Sequence, residues 1–186
     1  MKKLNLSATI LFITLLFVSC SKDDDTAQPE PVNEEEVITT LTATLEPAGE
    51  GTTITLKSQD LDGDGPNAPV VTVSGYLTAG VSYNGNIVLL NEMESPAEDI
   101  TEEVKEEDLD HQFFYTIGSG LDVTTSYENN DSEGNPLGTE FTLVAGAASS
   151  GALTFTLRHE PTKPNTGLDN AGGETDISVT FNLTVE

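Results

Sequence analysis

An antiparallel, immunoglobulin-like β-sandwich of about nine strands, with one short acidic crossover helix, is the all-β fold this sequence predicts. Three observations carry the prediction. From residue 37 onward, apolar and polar residues alternate with period two. The alternating runs are rich in Thr, Val, Ile, Leu and Phe. Gly, Asn, Asp and Pro separate them at short intervals, as in a sandwich or barrel.

The first run covers residues 37–45, with Val37, Thr39, Leu41, Ala43 and Leu45 on one face. Ile54 and Leu56 alternate with Thr53, Thr55 and Lys57, and Val71 and Val73 flank Thr72. Six further runs follow at 81–90, 112–117, 121–127, 139–145, 152–159 and 175–185. One segment breaks the period. Ser95-Pro96-Ala97-Glu98 has the form of a capping box with Pro at the first helical position. Ala97, Ile100 and Val104 then make a narrow apolar stripe, which predicts a helix from Pro96 to about Asp110.

The part before residue 37 has a different character. Lys2 and Lys3 precede an apolar run of 15 residues, which Ser19-Cys20 closes. Fifteen residues are too few to cross a ~30 Å hydrocarbon core comfortably, but they suit a signal peptide. Cys20 is the only cysteine, so no disulfide partner exists for it within the chain. The stretch resembles the lipobox of bacterial lipoproteins, in the looser Bacteroidetes form with Phe17 in place of the usual Leu. Residues 1–19 are therefore expected to be a lipoprotein signal, with Cys20 lipidated. Residues 21–25 (Ser-Lys-Asp-Asp-Asp) resemble the acidic export signal that sends such lipoproteins to the outer face of the outer membrane. The alternatives are a plain solvated linker and retention on the periplasmic face. Residues 20–36 read as a disordered acidic tether and 37–186 as the sandwich domain. Sixteen tether residues could stretch to about 50 Å. Asp25-Thr26-Ala27 also resembles a short O-glycosylation acceptor.

Charge excludes some partners. The full chain carries 32 acidic and 7 basic side chains, a net −25, and loses two more positive charges with the signal. Nucleic acid is excluded, since phosphate binding needs basic patches. Attraction to anionic lipid headgroups is disfavoured too, which leaves membrane attachment to the lipid itself. With no Trp and 6% aromatics, an aromatic cage for sugars is not supported. Catalysis finds no motif either. There is no Gly-x-Ser-x-Gly and no second thiol, and Ser119 between two glycines reads as a turn. The chain is read as a non-enzyme.

The remaining chemistry points to cations. Asp60, Asp62 and Asp64, followed by Gly65, form the opening half of a calcium loop: hard oxygens at alternate positions and Gly at the sixth. Val71 stands where its bidentate Glu should be. A second loop places Asn129, Asp131, Glu133 and Gly134 at the same relative positions, with Glu140 at the twelfth. Both could equally be polar hairpins. Between Glu92 and Asp110 there are ten acids and one Lys, and Glu103, Glu107 and His111 follow at successive i+4 positions. A carboxylate and an imidazole one turn apart can share zinc or copper. His111 could instead complement the helix dipole. His159 ends a predicted strand, and Asp169, Glu174 and Asp176 follow it. The two histidines could share a site only if the fold joins them.

Residues 60–72, 89–103 and 111–115 together resemble a family of small flavobacterial outer-membrane lipoproteins, over most of 20–186. Some carry a label invoking a type 1 periplasmic binding fold, whose alternating α/β pattern differs from the strands read here. The resemblance implies a neighbouring TonB-dependent receptor and a part in nutrient capture. The reading that follows is a surface lipoprotein that captures a cation, or a cation-linked nutrient, for such an importer. The alternative is an adhesive or structural envelope domain with calcium-stabilised loops.

Overall fold

The computed structural model describes residues 36–63 and 65–186. The signal, Cys20, all of the tether before Glu36, and Asp64 lie outside the described residues.

Two antiparallel sheets form the domain. Strands β1 (Thr40–Pro47), β2 (Ile54–Gln59), β3 (Val70–Val73) and β4 (Ser82–Asn91) come first. A two-residue strand β5 (Glu98–Asp99) leads into helix α1 (Ile100–Glu106). Then come β6 (His111–Ile117), β7 (Val123–Tyr127), β8 (Glu140–Ala145), β9 (Ser149–His159), the single turn α2 (Leu168–Ala171) and β10 (Glu174–Val185). One sheet runs β3-β2-β1-β4-β8-β7, with β5 on the far end of β4, and the other runs β10-β9-β6. The all-β sandwich is thus as predicted, with ten strands among the described residues.

Alternation explains the core. Leu41, Ala43 and Leu45 of β1, Ile87 and Leu89 of β4 and Leu143 of β8 turn one way and are buried. They meet Phe113 of β6, Leu153, Phe155 and Leu157 of β9, and Phe181 and Leu183 of β10. Phe141, Phe155 and Phe181 stack edge to face at 5.6 and 5.8 Å between ring centres. Gly85 makes room for this stack: a Cβ there would sit 2.3 Å from the Phe141 ring.

The helix differs from its prediction. It begins at Ile100, and its N-cap is Asp99, whose carboxylate accepts from the Thr101 amide at 3.0 Å. The Ser95 capping box is not used, because Glu98 and Asp99 pair with Asn91 and Leu90 of β4 instead. A sheet pairing outweighs the local helix signal there. The helix ends at Glu107, so His111 is the first residue of a strand and not the helix terminus. Ile100 and Val104 are buried, as the apolar stripe predicted. Thr101 pins the helix to β4, accepting from the Leu89 amide at 2.8 Å.

Candidate metal centre

The register of the smaller sheet brings the two histidines together. His111 opens β6 and His159 closes β9, and the antiparallel pairing sets them directly opposite each other. They share the inward face with the pairs Phe113–Leu157 and Tyr115–Phe155, so both imidazoles are buried at one end of the core. Their ring centres are 4.7 Å apart.

A bulge supplies the next donor. The pairing of β10 with β9 shifts between Thr175 and Ile177, which makes Asp176 the extra residue. Bulges re-aim side chains. Here the Asp176 carboxylate, fully buried, lies between the imidazoles, 3.5 Å from His159 Nδ1 and 3.9 Å from His111 Nε2. Gly173 lets β10 come this close: a Cβ on it would lie 2.1 Å from the His159 carbonyl oxygen, and its φ is +69°.

Two glutamates form a second set of possible ligands that shares His111. Glu36, just before β1, sets Oε1 3.8 Å from His111 Nε2, with its side chain only 8% exposed. Glu107, exposed at the end of α1, has a carboxylate oxygen close enough to Glu36 and His111 to share an ion with them. The tether reading put Glu36 in solvent, because it sits in an acidic run. Val37 and Ile38 beyond it carry the chain into β1, and Glu36 goes with them.

The distances have a chemical meaning. Separations of 3.5–3.9 Å are too long for hydrogen bonds. They are close to the ~3.3 Å edges of a tetrahedron built on ~2.0 Å metal–ligand bonds. His111 Nδ1 is 3.1 Å from the Glu107 carbonyl oxygen, which can only accept, so Nδ1 carries the proton and Nε2 offers a lone pair. That Nε2 is buried and has no hydrogen bond among the described residues, and Glu36 Oε2 is in the same condition.

Burial shifts the ionisation of two of these groups. Burial, foremost, holds the His111 imidazole below its usual pKa, so it stays neutral. Burial, and then the charges of Asp176, Glu103 and Glu107, push the Glu36 carboxyl from 4.5 up to about 7. A carboxyl raised in the folded state favours folding fully below pH 4.5. That contribution is lost as pH rises through 7. In chelator-treated protein, Glu36→Gln should therefore raise the melting temperature at pH 8, on the order of 3–5 °C, and change little at pH 4. The same change should weaken zinc binding. Calorimetry at both pH values checks it, and a lower melting temperature at pH 8 would refute it.

The predicted calcium residues are placed differently. The Asp62 carboxylate accepts from Asn67 Nδ2 at 2.6 Å and from the Asn67 amide at 3.3 Å. Asp60 Oδ1 takes a long bond from the Asp62 amide at 3.3 Å. Among the described residues, these two belong to no cluster of three ligands. In the second loop, Asn129 Oδ1 accepts from the Gly138 and Glu140 amides, both at 3.0 Å. Asp131 accepts from the Glu133 and Asn135 amides and from Lys163 Nζ at 3.0 Å. An ammonium thus stands where the spacing suggested calcium. Glu133 and Glu140 are exposed. Asp169 and Glu174 are exposed as well, which leaves Asp176 as the acid that joins His159.

These features define a class: an acidic β-sandwich with a buried centre of two histidines and carboxylates at one end of its core. The chain matches no family model, no curated protein and no solved structure.

Proposed function

We propose that this chain is a lipoprotein, lipidated at Cys20, whose sandwich binds one divalent transition-metal ion through His111, His159, Asp176 and Glu36. Zinc and copper suit two imidazoles and buried carboxylates, whereas calcium and magnesium take oxygen ligands alone. The observation that carries the reading is the set of 3.5–3.9 Å separations among the buried side chains of His111, His159, Asp176 and Glu36. Glu107, at the end of α1, could join Glu36 and His111 as a further ligand. A chain with no enzymatic motif and a strong negative field is suited to collecting cations. Displayed outside the cell on its tether, it would hand the ion to a TonB-dependent receptor in the same membrane. In the adhesive-domain alternative, a calcium ion at the second loop would compete with Lys163 for Asp131.

Titration of the chelator-treated protein with zinc tests the binding step. One equivalent per chain should bind, and millimolar calcium should not displace it. No uptake, or full displacement by calcium, would refute the reading. The anchoring step has its own test. Cys20→Ser should leave the protein out of the membrane fraction after a salt and carbonate wash. A washed membrane that still holds the variant would show that Cys20 is not the anchor.

A further inference from the structure

The centre is buried, so a cation needs a way to it. A groove of about 380 Å³ has Glu36 and Asp176 in its wall, together with Ser58, Asp60, Gly63 and Pro69. The side chains of Glu36 and Asp176 are nearly or fully buried in it, while Val37, Gly63 and Pro69 are exposed and mark its mouth. Asp60 and Gly63, of the loop that reads as half a calcium site, therefore share this groove with two carboxylates of the centre, Glu36 and Asp176. The two are also tied together through the backbone: the Asp60 amide donates to the Thr39 carbonyl at 2.8 Å, three residues from Glu36.

We propose that this groove is the path by which the metal ion reaches the centre, and that Asp60 is its outer station. The inference rests on the metal-binding reading above. A hydrated cation pauses against the Asp60 carboxylate, sheds water along the groove, and passes to Glu36 and Asp176 before the imidazoles take it. The donor types fit this order. Oxygen ligands hold a hydrated divalent ion loosely, and nitrogen ligands hold a transition metal firmly. Asp62 is turned to Asn67, which leaves Asp60 as the described carboxylate of the loop that lines the groove. Glu36 is placed for the transfer. Its Oε1 faces His111, and its Oε2 is buried without a hydrogen bond among the described residues. An acidic cleft of this kind also concentrates cations at its mouth.

A station on the path stabilises the passing ion and not the bound one, so its loss slows entry and exit together. Stopped-flow zinc binding to the full chain in detergent, and zinc release into excess chelator, give both rates. In Asp60→Asn, both should fall about fivefold at low salt, with Kd changed less than about twofold. Asp60→Glu should restore them. Glu50→Gln, an acid in the β1–β2 turn at the other end of β1, should leave both rates as in the wild type. Unchanged rates in Asp60→Asn would overturn the path while the metal centre stands. Slower entry with unchanged release would reduce Asp60 to long-range attraction and also overturn it. Slow rates in Asp60→Glu as well would assign the effect to loop shape. A wild-type chain that binds no zinc would remove the centre and the path together.

Discussion

Lys163→Met should cost the domain about 3–5 kcal/mol, out of a total stability on the order of 5–15 kcal/mol. The Lys163 side chain is 6% exposed, and its ammonium donates to the carbonyl oxygens of Asp108 at 2.7 Å and His111 at 2.6 Å and to Asp131 Oδ2 at 3.0 Å. Methionine fills a similar volume but leaves the fully buried Asp131 carboxylate without its cation. Burial pushes the Asp131 carboxyl up, but the bonds from Lys163 and Asn135 together hold it below 3.8. Its stabilising contribution is therefore present above pH 3.8 and lost as pH falls through its folded value. The variant lacks that contribution already, so the gap between the two proteins should narrow in acid. Urea unfolding at pH 7 and pH 3 measures this. A loss below about 1 kcal/mol at pH 7, or a gap that widens in acid, would show the pair to be incidental. Asp131→Asn added to Lys163→Met should recover part of the loss, since neither charge of this pair then remains buried.

Most of the strands could be read from the sequence because they are half-buried, and burial on one face writes period two into the chain; β3, with Val70 and Val71 exposed, is the exception among those read. β1, β4 and β9 show it best, with Leu41, Ala43 and Leu45, Ile87 and Leu89, and Leu153, Phe155 and Leu157 all turned inward. β5 was out of reach, because two residues carry no period. The start of α1 was misplaced for a related reason. Ser95 and Glu98 form a good local cap, but the competing bond partner of Glu98 is on β4, and pairing between strands leaves no mark in a local window.

The site divides the same way. His111, His159 and Glu107 stand out by residue type, and Asp176 is among the acids that follow His159. Their meeting depends on the register of β6 on β9 and on a bulge in β10, both of which are tertiary. Spacing records which oxygens are near in sequence, not which donors reach them, so it left Asp131's partner unread. Lys163 reached Asp131 from a different loop. One signal was available: with so few basic residues in so acidic a chain, any lysine between strands is a candidate partner for a buried acid. Glu36 carried no signal at all, since its neighbours Glu34 and Glu35 are the same residue.

His159→Ala, and separately His111→Ala, should weaken zinc binding at least about 100-fold, since losing even an outer-shell partner costs about 10–100-fold. That factor is about 2.7 kcal/mol. It is also the stabilisation that zinc at a hundredfold excess over Kd gives to a protein that binds it only when folded. Zinc should accordingly raise the wild-type melting temperature by about 5–10 °C, and each histidine variant should lose nearly all of that rise. Each variant is compared with its own chelator-treated form, so any cavity left by the imidazole cancels. Asp62→Ala should keep the full rise, because Asp62 is bound to Asn67 and lies outside the centre. Calcium at matched ionic strength should give a small shift that is the same in all of these proteins, as general screening of so negative a chain would. A zinc shift that survives both histidine changes would leave the 3.5–3.9 Å cluster as a packing arrangement. A calcium shift that disappears only in Asp62→Ala would return the ion to the loop that the sequence first suggested.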